Sequence, residues 1–184
     1  MGKAYKNFWS LNTDEAVVTG ILRDETKRDI EVFMPLNAQM KDVDLVLMNM
    51  KNTKTITIQV KGSKAYEPRK SEVKKFGKGS SGWFYFDKKI IHNSTAKYFI
   101  FLVYVLKEVK EKGRRVIEPH TITIPTKEIR DLCKKNKIPH GKRYSFYFWV
   151  NPDTKKAFDF RDNLYHVDDY LDKRGFEKLN KELE

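Results

Sequence analysis

The sequence predicts an α/β protein in which helices cover a mixed β-sheet of about five strands. Three observations predict this class. An amphipathic helix comes first, a hairpin of two apolar runs follows it, and the most apolar run of the chain, at residues 97–106, is typical of a central strand. With 184 residues, of which 40% are apolar, the chain is long enough for one domain with a buried core.

Spacing and turn residues define the elements of the first half of the chain. Asn12 and Glu15 are typical of a helix start, and apolar residues at helical spacing extend this helix to about residue 28. A short strand ends near Pro35, and two apolar runs then flank a polar turn. Lysines and a cluster of glycines and serines predict a long mobile connection at residues 64–81.

The second half begins with an aromatic strand, which precedes the most apolar strand and a charged turn. A short strand then leads into a helix that begins at Pro125, and alternating aromatic residues predict a further strand with a returning partner. In chain order we predict a helix at 12–28, strands at 31–36, 43–50, 55–63, 83–86, 97–106 and 121–124, a helix from 125, strands at 144–150 and 157–160, and a helix at 165–183.

We expect a single domain without a clear internal boundary. Its core is predicted at residues 1–135, and an aromatic hairpin with a final helix at residues 136–184 is predicted to pack on that core as an extension. Cys133 is the single cysteine, which excludes an intramolecular disulfide and a cysteine metal cluster. No apolar run approaches the roughly 20 residues of a membrane span, and the N-terminus lacks a signal peptide. We therefore expect a soluble, cytoplasmic protein without a membrane partner, with association with a prokaryotic nucleoid as an alternative.

The net charge is +12, from 37 Lys and Arg residues against 25 Asp and Glu residues. A positive charge of this size predicts a polyanionic partner, and nucleic acid is the first candidate. The alternative is a lysine-rich proteome that raises the charge of all its proteins.

Three polar residues of the hairpin form the candidate site. Gln59 and Lys61 are two residues apart on the second strand, so their side chains point to one face of the sheet. Asp44 begins the first strand, and pairing of the two strands would bring its carboxylate to the same place. A carboxylate, an amide and an ammonium group at one point suit a hard cation with a lysine beside it, which is the chemistry of phosphodiester cleavage.

Mg²⁺ prefers oxygen ligands, and three groups of the hairpin offer them. These are the Asp44 carboxylate, the Gln59 amide oxygen and the backbone carbonyl of Val60. Lys61 would orient the attacking water or stabilise the charge of the transition state. Glu15, on the first helix, could reach a second metal or a metal-bound water, although Asn12 and Glu15 also have the spacing of a capping box.

The succession of Asp44, a hairpin and Gln59-Val60-Lys61 resembles the motif of the PD-(D/E)xK nuclease superfamily, also called restriction-endonuclease-like, in the variant with glutamine as the second motif residue. Members also carry a glutamate on the first helix, which matches Glu15. The order of elements agrees over about residues 8–135. The resemblance implies a restriction-endonuclease-like sandwich that cleaves DNA with Mg²⁺, for which Mn²⁺ can substitute. It also implies a homodimer and a role in restriction, repair or junction processing.

The chain departs from the family pattern at two positions. Val43 precedes Asp44 where the family has proline, and Asp42 shares a strand face with Asp44, so either carboxylate is a candidate ligand. We favour Asp44 because an apolar run follows it. Gln59 removes one negative charge and is expected to weaken metal binding, and superfamily members that bind without cutting also exist.

The segment after the hairpin is the candidate for nucleic-acid contact, because lysine and arginine side chains there can bind backbone phosphates. A solvated loop without a ligand is the alternative. The aromatic run at residues 144–149 could stack on bases, but core or dimer packing is favoured. The predicted nucleic-acid-binding residues are Ser63, Lys64, Arg69, Lys70, Lys74, Lys75 and Lys78.

The leading hypothesis is therefore a Mg²⁺-dependent DNA endonuclease. A non-catalytic nucleic-acid-binding module of the same fold, within a larger DNA-processing assembly, is the alternative that Gln59 favours. Cleavage of RNA is a third hypothesis, because the same residues could carry it.

Overall fold

Two β-sheets form the frame of the computed structural model, which describes residues 13–35, 42–109 and 114–184. Strands and helices alternate along these ranges. The helices are α1 (Thr13–Glu25), α2 (Lys70–Phe76), α3 (Lys88–Asn93), α4 (Thr126–Asn136) and α5 (Lys173–Leu183). The strands are β1 (Ile30–Phe33), β2 (Leu45–Asn49), β3 (Thr55–Gly62), β4 (Ser80–Asp87), β5 (Tyr98–Val109), β6 (Arg114–Pro125), β7 (Arg143–Asn151), β8 (Lys156–Asp159) and β9 (Tyr165–His166).

The first sheet has five strands in the order β1-β2-β3-β5-β6. Neighbouring strands are antiparallel, except that β3 and β5 run parallel, which makes the sheet mixed. Helices flank it. The predicted α/β class with a mixed sheet of about five strands is thus confirmed. Within the described ranges, none of these helices has the length and apolar content that a membrane crossing requires.

The second sheet has four strands in the order β4-β7-β8-β9, and its strands are antiparallel. The sequence analysis predicted a single sheet, but β4 pairs with β7 along its whole length, from Ser80 opposite Val150 to Asp87 opposite Arg143. The C-terminal residues 136–184 supply three of its four strands, and they also supply α5. The two sheets pack face to face because β4 and β5 each present phenylalanine side chains to the space between them.

Two apolar layers cover the two faces of the first sheet. The layer between the sheets is rich in aromatic residues, and Phe101 is in contact with Phe84, Phe86, Phe146 and Phe148. The layer on the other face joins the sheet to the helices that cover it. It contains residues of α1 (Val18, Leu22), of β3 (Ile56, Ile58, Val60) and of α5 (Phe176, Leu179, Leu183).

Helix α2 lies within the segment that was predicted to be an irregular connection. The prediction was wrong here because lysines surround the apolar residues of the helix and hide their spacing. The Arg69 backbone N–H donates to the Glu72 carboxylate at 2.8 Å, which begins the helix. Phe76, at its end, packs against Phe158 and Phe160 of the second sheet.

The last helix begins at Lys173, later than predicted, because the chain first forms β9 and a 3₁₀ turn at Asp168–Tyr170. Asp172 fixes its start: the carboxylate accepts a hydrogen bond from the Thr121 backbone N–H at 2.9 Å and lies 2.8 Å from Nδ1 of His120. Gly175 allows α5 to approach β6 and the 3₁₀ turn, since an added Cβ would lie 2.8 Å from Cβ of Thr123 and 2.5 Å from the Tyr170 carbonyl oxygen.

A buried ion pair joins the end of α4 to the second sheet. Nζ of Lys137 lies 2.7 Å from the Asp159 carboxylate and 3.1 Å from that of Asp162, and the side chains of Lys137 and Asp159 are 1% and 0% exposed. Asp159 also accepts hydrogen bonds from the backbone N–H groups of Tyr147 and Arg161. Each partner therefore compensates a charge that would be costly to bury alone.

We expect Lys137→Met to lower the free energy of unfolding by about 3–5 kcal/mol, because it leaves the Asp159 carboxylate buried without its counter-charge. Urea unfolding of the two proteins measures the difference. Lys134→Met is the matched control, since Lys134 is an exposed residue in the last turn of α4, which directly precedes Lys137. Equal losses in the two variants would show that the ion pair does not stabilise the fold.

Candidate functional site

The β2–β3 hairpin brings Asp44 to the Gln59–Lys61 segment. Leu45 pairs with Ile58, and the Asp44 backbone N–H donates to the Ile58 carbonyl oxygen at 2.8 Å. The Asp44 carboxylate then accepts the backbone N–H of Val60 at 2.7 Å. It thus lies beside the β3 backbone, between the two residues of the predicted motif.

The hydrogen bond to Val60 explains how a charged side chain is held at the end of a strand. Strand β2 begins only at Leu45, so the Val60 N–H lies where the β2–β3 ladder ends. One oxygen of Asp44 satisfies this N–H, which a buried strand cannot leave unpaired without cost. A charge-assisted hydrogen bond of this kind fixes the carboxylate relative to β3.

Gln59 is the most unusual member of the site. Its side chain is 3% exposed, and its Oε1 atom accepts no hydrogen bond from the residues that the structure describes. The position follows from the fold: Ile58 and Val60 point into the layer under α1, so Gln59 points to the opposite face, beside Phe99 of β5. A buried amide oxygen without a donor costs about 1–3 kcal/mol.

Lys61 lies on the same face as Gln59, opposite Phe101 in the parallel ladder, and is half-buried. Among the described residues, no carboxylate lies within ion-pair distance of its ammonium group. Within the described part of the chain, the positive charge of Lys61 on the face of the Gln59 amide is therefore not neutralised by an ion pair. Such a charge can interact with a phosphate or with a developing oxyanion.

Helix α1 presents acidic residues to this end of β3. The carboxylate of Asp14 lies against Gly62, where an added Cβ would be 1.9 Å from Oδ2, and Oδ1 accepts the hydroxyl of Tyr104 at 2.8 Å. Burial is the main reason that the pKa of Tyr104 rises to about 12, and the bond to Asp14 adds to it. Glu15, the predicted residue, is half-buried on the same helical turn, and its capping-box partner Asn12 lies outside the described residues.

The contact of Asp14 with β3 was not predicted, and it lies on the α1 side of the sheet, opposite to the face of Gln59 and Lys61. The only signal in the sequence is Gly62 directly after Lys61, because a strand glycine often marks the close approach of another group. Asp42, the alternative to Asp44, lies before β2 with a φ of 72° and is half-buried. The contact with β3 is made by Asp44.

The predicted nucleic-acid-binding residues divide into two groups. Ser63 is 7% exposed, and its hydroxyl accepts the Trp83 backbone N–H at 2.9 Å and donates to the Lys64 carbonyl oxygen, so it joins β3 to β4. The others are exposed, and three of them lie on α2, which gives the segment after β3 a basic surface. They are Lys64, Arg69, Lys70, Lys74, Lys75 and Lys78.

The ligands available to a metal at the hairpin are one carboxylate and neutral oxygens. In the described part of the chain, no group of three or more His, Cys, Asp or Glu residues could hold a metal ion. The Asp44 carboxylate and the Oε1 atom of Gln59, which has no donor among the described residues, are oxygen ligands of the kind that a hard cation takes.

No protein-family model, curated protein or solved structure matches this chain significantly. The function is therefore inferred from the site itself.

We expect Gln59→Leu to leave the free energy of unfolding unchanged or to raise it, because no hydrogen bond to Oε1 is lost and a buried polar atom is removed. Asn49→Leu is the matched control. Asn49 is a buried amide of β2 whose side chain bonds to the Leu183 carbonyl oxygen and the Lys51 N–H. Its replacement should cost about 1–3 kcal/mol in urea unfolding.

If Gln59→Leu lowers the free energy of unfolding as much as Asn49→Leu does, the Gln59 amide stabilises the fold and is not held for a ligand.

Proposed function

We propose that this protein is a Mg²⁺-dependent endonuclease that hydrolyses phosphodiester bonds in DNA. The observation that carries the proposal is the Gln59 amide oxygen, which is buried without a donor among the described residues, on the strand to which the Asp44 carboxylate is hydrogen-bonded. It is one of seven buried side-chain atoms that lack a hydrogen-bond partner in the described residues, and it is the one that lies in the predicted motif. A ligand would supply the partner that buried acceptors in folded proteins normally have.

The order of elements supports the restriction-endonuclease-like fold. A helix with acidic residues is followed by a strand, a strand that begins at the aspartate and the Gln-x-Lys strand, as in the resemblance to the PD-(D/E)xK superfamily. The apolar strand β5 and a strand leading into α4 come next, also in that order. β4 belongs to the second sheet, which is the main difference from a single-sheet core.

The hairpin offers Mg²⁺ three oxygen ligands in the proposed site. Asp44 would supply a carboxylate oxygen, Gln59 its amide oxygen and Val60 its backbone carbonyl, and Mn²⁺ would use the same atoms. When bound, the metal supplies Lewis-acid polarisation of the phosphate and lowers the pKa of water. Asp14 and Glu15 are the acidic groups that α1 brings toward β3, and one carboxylate of the two is a candidate second ligand or water contact.

Lys61 would stabilise negative charge on the scissile phosphate. Its half-buried position strengthens this effect, because partial exclusion of water reduces the screening of its charge. The net charge of +12 and the basic surface after β3 would favour association with a polyanion before any chemistry takes place.

A non-catalytic nucleic-acid-binding module is the second candidate function. It is favoured by the small number of carboxylates at the hairpin. Among the described residues, Asp44 is the carboxylate with a hydrogen bond to β3, and one of its oxygens already accepts the Val60 N–H. Such a protein would retain DNA without a metal and would not cut it. RNA cleavage fits the same residues, and competition between DNA and RNA substrates separates it from the leading proposal.

We expect Lys61→Ala to reduce Mg²⁺-dependent nicking of supercoiled plasmid by at least about a hundredfold, because it removes the charge that stabilises the transition state. DNA retention in a gel-shift assay and the circular dichroism spectrum should stay unchanged. Lys54→Ala is the matched control, since it removes the same charge from an exposed position of the same hairpin. Full cleavage by the Lys61 variant would refute the mechanism, and DNA retention without cleavage by the unaltered protein, in Mg²⁺ and in Mn²⁺, would select the binding module.

We expect Mn²⁺ to raise the Tm of the unaltered protein by several degrees and to leave the Tm of Asp44→Asn unchanged. Asparagine keeps an oxygen for the Val60 N–H but removes the charge, so the fold should survive while metal binding is lost. A metal at a hundred times its Kd stabilises the native state by about 2.7 kcal/mol. Equal Tm shifts in both proteins would place the metal elsewhere.

A further inference from the structure

The outer face of the second sheet carries a row of stacked aromatic rings. Tyr66 stacks on Trp83 with ring centres 4.4 Å apart and planes inclined by 19°, and Trp83 stacks on Tyr147 at 5.0 Å and 16°. The Arg161 guanidinium lies over the Tyr147 ring, 5.0 Å from its centre. We call Tyr66, Trp83 and Tyr147 the stacked row; Tyr85 flanks it, with its hydroxyl 2.9 Å from that of Tyr147.

The core of the sandwich does not require these rings. Phe84 and Phe86 of β4 and Phe146 and Phe148 of β7 already fill the space between the sheets. The stacked row points to the opposite side, where Tyr85 is 54% exposed and Trp83 and Tyr147 are half-buried. The three rings of the row and Tyr85 adjoin one another, and contiguous patches of accessible apolar surface mark interaction sites more often than single residues do.

Further along this face the sheet is covered. Phe76 of α2 packs against Trp149, Phe158 and Phe160, so helix α2 buries the part beyond the row. The part that includes Tyr66, Trp83 and Tyr85 stays accessible. The uncovered area is therefore limited to the row and its flank.

The row has one closed end and one open end. The Tyr147 ring is in contact with Trp83 and with the Arg161 guanidinium. The Tyr66 ring is in contact with Trp83 and with no second aromatic ring of the described residues. A planar ring has two faces, and within the described residues the second face of the half-buried Tyr66 ring has no aromatic partner, so one further flat group could continue the row there.

The open end lies close to the proposed catalytic strand. Tyr66 follows Lys61 in the segment directly after β3, and Ser63 in the same segment bonds to the Trp83 backbone N–H at 2.9 Å. Lys64 and Lys70 are exposed on either side of Tyr66, and Glu67 is the acidic residue between them. The surroundings of the open end are thus mainly positive.

We propose that Tyr66 stacks on an unpaired base of single-stranded DNA, so that the substrate of the site is a single strand or a single-stranded flank beside the bond that is cut. The inference rests on the proposed nuclease function. Stacking of bases on aromatic side chains needs unpaired bases, is tolerant of sequence and is combined with phosphate contacts by lysines. A duplex keeps its bases paired and cannot offer a free face to Tyr66 except at an end.

The test measures the binding of fluorescently labelled oligothymidine of about 15 nucleotides, within the site sizes of single-strand-binding grooves. Fluorescence anisotropy is recorded on the full chain with Lys61→Ala, in EDTA, so that no cleavage occurs. A duplex and an oligouridine of the same length are measured in parallel. The Tyr66 variants are Ala, Leu and Phe, and Phe33→Ala is the control, because Phe33 is an exposed ring at the edge of the first sheet.

We expect Tyr66→Ala and Tyr66→Leu to raise the Kd for oligothymidine about tenfold, and Tyr66→Phe and Phe33→Ala to change it by less than about twofold. The Kd for the duplex should not change. If circular dichroism shows that Tyr66→Ala is unfolded, the Kd values of Tyr66→Leu and Tyr66→Phe are compared instead, because they differ in the aromatic ring. Three results would each overturn the proposal. The first is an equal rise of the Kd in the Leu and Phe variants, and the second is a rise for the duplex as large as that for oligothymidine. The third is tighter binding of oligouridine than of oligothymidine.

Failure of this inference and failure of the nuclease proposal are distinguishable. The anisotropy measurement needs neither metal nor cleavage. Intact oligothymidine binding by a protein that cuts neither plasmid nor single-stranded DNA in Mg²⁺ therefore refutes only the nuclease. Intact cleavage of DNA with no role for the Tyr66 ring refutes only the stacking.

Discussion

The parallel pairing of β3 with β5 is the constraint on which the candidate site depends. It places β3 inside the first sheet, with β2 beside its first half and β5 on the other side. Successive side chains of a strand alternate, so Ile58 and Val60 point into the layer under α1. Gln59 therefore points to the opposite face, beside Phe99. Gln59 is buried there, and its amide oxygen has no donor among the described residues. The apolar layers on both faces of the sheet offset the free-energy cost of burying this unpaired oxygen.

The side chains of β4 alternate between the two faces of the second sheet, and this alternation produces both the core between the sheets and the exposed row. Phe84 and Phe86 point inward and pack against Phe101, and this packing holds the two sheets together. Trp83 and Tyr85 must then point outward, whatever their chemistry. Shifting the register of β4 by one residue would exchange the two sets, so the row cannot move without loss of the core.

Much of the first sheet could be predicted from the sequence, because each of its strands is indicated by a pattern of neighbouring residues. The two apolar runs around a polar turn predicted β2 and β3, and the apolar run at residues 97–106 predicted β5. The second sheet could not be predicted, since alternation shows that β4 is a strand but does not identify its partner β7, far along the chain. At the site, strand period placed Gln59 and Lys61 on one face. The contact of Asp14 with Gly62 depends on how α1 packs, which no local pattern specifies.

Ser63 connects the end of the hairpin to the strand that carries Trp83 of the stacked row. Its position after Lys61 predicted a phosphate contact, but the hydroxyl is buried and bonds to the backbone of Trp83. A hydrogen bond from one sheet to the other at this point fixes the distance between the end of β3 and the start of the row. The metal ligands and the stacking ring would therefore act on one strand of nucleic acid as parts of a rigid body, while the exposed lysines after Ser63 adjust to its phosphates. Rigid placement of this kind is what a cleavage site needs, because the rate depends steeply on the position of the reacting groups.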